Sequence, residues 1–171
     1  MHYLNYLREK TDPFNEQGLR NVNNTDVDEY NCLSYALGTY AWTRPYEKYE
    51  DRLDEVVSMI MDDDMTYEEC ANFLLEKDTQ WLLDNAPDKV RLVHDESELN
   101  EDECLIAFRE YAGRDIWGDI DTDFHATIKL DGEWYEKCGA HSPKKTDEMS
   151  MWQNDSGYFY NSDTAYFAIK K

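Results

Sequence analysis

The chain has 171 residues, 38 of them acidic and 17 basic, for a formal net charge of -21. Such a charge repels nucleic acid and anionic membrane surfaces at long range, and it suits a protein that acts alone or meets a basic partner. With 41% hydrophobic and 14% aromatic residues, the chain can bury a core and is not a disordered acidic tail.

Residues 1–30 are polar. A short helix is expected over His2–Lys10, followed by a loop over Asn15–Tyr30 rich in Asn, Asp and Gly. The opening MHYLNYLREK lacks the basic-then-apolar pattern of a signal peptide, and no run of apolar residues is long enough for a membrane span. Cytoplasmic location is therefore expected. Next comes NCLSYALGTY, Asn31–Tyr40, in which Leu33, Ala36, Leu37 and Tyr40 recur at helical spacing. Asn31 is placed to cap this helix, so Cys32 falls in its first turn, where the helix dipole favours the thiolate. A small buried core cysteine is the alternative reading.

Thr43-Arg44-Pro45 breaks the pattern. Leu53, Val56, Val57 and Ile60 mark an amphipathic helix over Glu50–Met61, which ends at Asp62-Asp63-Asp64. Thr66 and Glu69 form a capping box for a second helix, with Cys70, Phe73 and Leu74 on its apolar face. Beyond Pro87 the character changes. Lys89–Asp95 reads as a strand, the charged stretch after it as a connection, and Cys104–Ala112 as a central strand. Asp123–Leu130 and Glu133–Gly139 flank Asp131-Gly132, a two-residue hairpin signal. Residues 140–154 read as loop, and YFYNS and TAYFAIKK offer one or two final strands. Helices precede strands, so the fold class expected is α+β in a single domain, 1–171.

The hairpin fixes a register. Leu130 pairs with Glu133, Lys129 with Trp134 and Ile128 with Tyr135, which sets Glu136 opposite Thr127 and Cys138 opposite His125. Glu136 then lies diagonally from His125 on one face. A thiol at a helix start, an imidazole on a strand and a carboxylate beside it are the parts of a nucleophile, its base and an orienting group. Glu133 and Tyr135 are the other polar choices for the third position. The backbone N–H of Cys32, with Asn31 or Tyr30 just before it, supplies candidate oxyanion donors.

YNCLSYALG, followed by DFHATIKLDGEWYEKCG, resembles papain-like cysteine hydrolases related to the NlpC/P60 amidases, many of them bacterial or phage proteins. Leu105–Ala107 and Asp155-Ser156-Gly157 extend the resemblance to roughly a fifth of the chain. It implies helices packed on an antiparallel sheet, Cys32 as nucleophile, His125 as base, and a polar residue on the next strand. Where related sequences often carry histidine, this chain reads Trp134-Tyr135-Glu136-Lys137. The acidic, helical stretch of about 43–90 is an insertion that the resemblance does not account for.

The function expected is cleavage of an amide or isopeptide bond through an acyl-thioenzyme, with no cofactor, on a peptide or amide substrate. The alternative is an acidic inhibitor or pseudoenzyme that masks a basic protein surface. No CxxC pair exists, and Asp119, Asp121 and Asp123 fail the EF-hand pattern, since Phe124 and Leu130 stand where Gly and Glu are needed. They read as a solvated loop, and no metal site is expected. His94 is an alternative imidazole partner with exposed neighbours. His141 reads as surface, and Cys138 as a packing residue near the site.

Overall fold

The computed structural model describes residues 30–38, 42–154 and 156–170. The helix expected over His2–Lys10 and the loop from Asn15 up to Tyr30 lie outside the described residues. Among the described residues, three α-helices precede six strands: α1 (Cys32–Leu37), α2 (Tyr49–Met61), α3 (Tyr67–Asn85), β1 (Val90–Val93), β2 (Glu103–Arg114), β3 (Ile120–Leu130), β4 (Glu133–Glu136), β5 (Lys144–Thr146) and β6 (Ala165–Lys170). The strands form one antiparallel sheet in the order β1-β6-β2-β3-β4-β5. The architecture is α+β, and β2 is central, as expected. None of the described helices is long and apolar enough to cross a membrane.

Helix α1 is too short to hold on propensity alone, so caps and packing keep it. The Asn31 carboxamide oxygen accepts from the Ser34 N–H at 3.0 Å, and Gly38, at φ 68°, ends the helix in the left-handed region. All six residues are buried. Leu33, Ala36 and Leu37 pack with Ile106, Phe108, Phe124, Ala126 and Ile128 from the sheet. These alternate positions of β2 and β3 form the face that meets α1 and the second half of α3. Leu105, Ala107 and Trp134 belong to the opposite face, which is covered by Met151, Trp152 and Tyr160. β2 is thus buried on both sides.

The insertion carries α2 and α3, which close over the far end of β2 through Val56, Met59, Cys70, Ala71, Leu74 and Ala112. The Thr66–Glu69 capping box forms: the Glu69 N–H donates to Thr66 Oγ1 at 3.2 Å, and the Thr66 N–H to Glu69 Oε2 at 2.7 Å. Cys70, Leu74, Asp78 and Leu82 step by four along the buried stripe of α3. Phe73 lies off that stripe and is 40% exposed, which corrects its expected place on the apolar face. Asp78 is buried because Arg52 of α2 reaches it at 2.7 Å and also binds Glu110 of β2. A guanidinium with two carboxylates therefore ties the insertion to the sheet.

Asp131 and Gly132 adopt positive φ, 51° and 81°, as a type I′ turn demands, and the four β3–β4 pairs match the expected register. The ladder ends at Glu136, short of Gly139. Three other expectations are corrected. Residues 120–123 are not a solvated loop, because they pair with 111–114. There Asp121 takes the Tyr49 hydroxyl and Asp123 the Tyr160 hydroxyl, so each carboxylate has a donor. Residues 140–154 contain β5 and a 3-10 turn, Ser150–Trp152. The YFYNS segment is no ladder strand; Asn161 instead grips Ala112 with its side chain, accepting at 3.1 Å and donating at 2.8 Å.

Candidate active site

Capping by Asn31 fixes Cys32 as the first residue of α1, and the packing of α1 on β3 brings its sulfur to the strand. The thiol points to the Phe124 carbonyl oxygen, 3.8 Å away. The next residue, His125, faces the other side of the sheet, toward Thr127 and Glu136. Its Nε2 meets Glu136 Oε2 at 2.8 Å, and both side chains are buried. The Cys32 sulfur lies near enough to the ring to favour its charged form, while the thiol's hydrogen bond goes to the Phe124 carbonyl. Of the residues singled out from sequence, Cys32, His125 and Glu136 thus converge.

Aromatic groups hold the imidazole plane. Tyr160 stacks on it at 5.4 Å with 21° between planes, and Trp152 meets it edge-on at 6.3 Å. The Tyr160 hydroxyl donates to Asp123 at 2.7 Å. Cys32 and His125 open onto a cavity of about 380 Å³ whose walls include Trp42, Arg44, Tyr46 and Cys138. Cys32 is 5% exposed and belongs to the apolar cluster around α1, and it also borders this cavity.

The electrostatics follow from this enclosure. Burial pushes the His125 pKa down, but hydrogen bonds and charge from Cys32 and Glu136 outweigh it and raise the imidazole to about 10. Burial pushes Glu136 up, but His125 and then Lys144, 3.4 Å away, bring it below its usual value. Burial raises Asp123, against the Tyr160 hydroxyl that favours its ionised form.

The remaining candidates fall elsewhere. The Asn31 amide nitrogen donates to the Thr43 carbonyl at 2.6 Å and its oxygen to the cap is committed, so the side chain braces the cavity wall. The Tyr30 ring lies under the Lys137 ammonium at 4.6 Å and is not part of the cavity lining. Glu133 and Tyr135 do not take the third position; Glu133 pairs with Lys145 at 3.1 Å. His94 is exposed and pairs with Glu98 at 2.8 Å, far from the role of an imidazole partner. His141 is exposed but sits on the cavity rim. Cys138 is half-buried, with its sulfur, the His125 ring and the Glu136 carboxylate within 4.8 Å of one another, which is the set of side chains here suited to a metal ion.

Sequence reading missed Asp123 and Tyr160 as parts of the site; Trp152 it weighed as groove lining and gave to core packing. Asp123 carried a signal, since it lies two residues before His125 on a strand and so shares its face. Nothing local marks Tyr160 or Trp152, which arrive from a distant, irregular segment. No family model matches the chain, and neither a curated protein nor a solved structure does.

Proposed function

We propose that the protein is a papain-like cysteine hydrolase that cleaves an amide, peptide or isopeptide bond. The observation that carries this reading is the buried His125 ring, hydrogen-bonded to the Glu136 carboxylate and bordering one cavity together with Cys32. A carboxylate only accepts, so the Nε2 proton goes to Glu136 and Nδ1 is left for the sulfur. With its pKa raised to about 10 the ring is protonated near neutral pH, so His125 already holds the thiol's proton when substrate arrives, and the Cys32 sulfur attacks the substrate carbonyl carbon. The carbonyl oxygen becomes an oxyanion, which the backbone N–H of Cys32 at the helix start can meet. As the C–N bond breaks, the imidazolium gives its proton to the leaving amine, and an acyl-thioenzyme remains. Water, with its proton taken by His125, attacks that thioester, and the acid product leaves with the thiol restored.

Alkylation with iodoacetamide, read by mass spectrometry, tests the reading. Exposure alone favours Cys138, which is half-buried, over Cys32, Cys70 and Cys104, which are buried. The hydrolase reading expects Cys32 to be labelled first near neutral pH, and about tenfold or more slowly in His125→Ala. Labelling in the order of exposure, with no effect of the histidine change, refutes it.

A further inference from the structure

We propose that His125, Glu136 and Cys138 form a binding site for a soft divalent cation of the zinc class. Their donor atoms, one nitrogen, one carboxylate oxygen and one sulfur, lie within 4.8 Å of one another. Tetrahedral zinc with bonds of about 2.0–2.3 Å needs ligand separations of about 3.5 Å, so closure requires movements of about 1 Å. The chain permits them. The β4 ladder ends at Glu136, and Cys138 belongs to the turn beyond it, where its carbonyl accepts from the His141 N–H at 2.8 Å. A histidine nitrogen, a thiolate and a carboxylate are donors that zinc accepts together, whereas calcium and magnesium prefer oxygen alone.

Access and charge agree with this reading. His125 and Cys138 both line the cavity, so a cation has a route in and its fourth position opens to water there. The net charge of -21 draws cations toward the molecule. The cation displaces from Glu136 the Lys144 ammonium, which lies 3.4 Å away on a side chain 58% exposed. Binding releases the imidazole's proton and the Cys138 thiol proton to solvent, so charge balances. The site shares His125 and Glu136 with the proposed catalytic group, so an occupied site withdraws the base from Cys32. Binding itself does not rest on the hydrolase reading; only this block does.

Cobalt(II) added to the full-length chain under a non-thiol reductant tests the site. The expected result is one equivalent bound with a sulfur-to-cobalt charge-transfer band, kept in Cys32→Ser and lost in Cys138→Ser. Zinc should also slow alkylation of Cys138 in the unaltered chain by about tenfold or more, a readout that stands if Cys138→Ser fails to fold. No band in the unaltered chain, a band that survives Cys138→Ser, or a band lost only in Cys32→Ser overturns the proposal, as does unchanged Cys138 alkylation. None of these measurements requires turnover. A failed Cys32 labelling test with a positive cobalt result therefore rejects the hydrolase and leaves the metal site.

Discussion

Replacing Glu136 with glutamine removes one charge from the site and leaves its shape. The Nε2–Oε2 contact is 2.8 Å and both partners are buried, so the bond between imidazolium and carboxylate falls among the strong, charge-assisted ones. Such bonds contribute about 1.5–3 kcal/mol, and one pKa unit corresponds to about 1.4 kcal/mol, so the change is worth about 1–2 units. His125 should therefore fall from about 10 in the unaltered chain to roughly 8–9 in Glu136→Gln. The Cys32 contribution stays, which is why the value does not return to that of a free imidazole. Titration of the ring carbon–proton resonances by NMR, in both proteins, measures the shift directly. A midpoint within a few tenths of a unit of the unaltered chain refutes the reasoning, for it means the carboxylate carries none of the stabilisation that its position implies.

Two further predictions concern stability. Arg52→Met leaves Asp78 and Glu110 buried without their shared cation, at a cost of about 3–5 kcal/mol. For a chain of this size the melting temperature should drop by roughly 6–20 °C in calorimetry, and a loss of only a degree or two refutes the clamp. The second is a pH dependence. The folded pKa of His125 lies above its unfolded value near 6.5, so its contribution is fully present below about pH 6.5 and fades as pH rises toward about 10. The urea midpoint should fall between pH 7 and pH 10, and His125→Gln should flatten that fall. Equal slopes in the two proteins remove His125 as its source.

What the sequence made legible was local or carried by period. The hairpin register followed from Asp131-Gly132, because both positions need positive φ and few residue pairs supply it. Register then placed Glu136 beside His125 without any tertiary information. Helix α1 and its cap were legible for the same reason, since Asn31 and Ser34 are three residues apart. What stayed hidden depends on distant segments. Nothing local marks Arg52 and Asp78 as buried, and only the packing of α2 and α3 on Glu110 turns them inward. β5 has three residues, too few to show a period, and its pairing partner is β4 rather than its own sequence. Asn31 was read as a free donor, but Thr43, brought alongside by the chain's return, takes its amide.

The insertion belongs to the site as well as to the scaffold. Arg44 and Tyr46, at its start, form part of the cavity wall. The Tyr46 ring lies edge-on to Phe124 at 6.2 Å and takes the Arg52 guanidinium on its face at 5.0 Å. The buried Arg52 thus touches a residue that borders the cavity, and the same guanidinium holds α2 against α3 and β2. Phe124, in turn, offers the carbonyl that the Cys32 thiol meets. The clamp and the thiol are therefore three contacts apart, through Tyr46 and Phe124. A segment that the family resemblance does not account for thus shapes part of the cavity that Cys32 borders. Under the proposed hydrolase reading, the wall made by Arg44 and Tyr46 is what this segment contributes to substrate choice, while Cys32, His125 and Glu136 lie outside it.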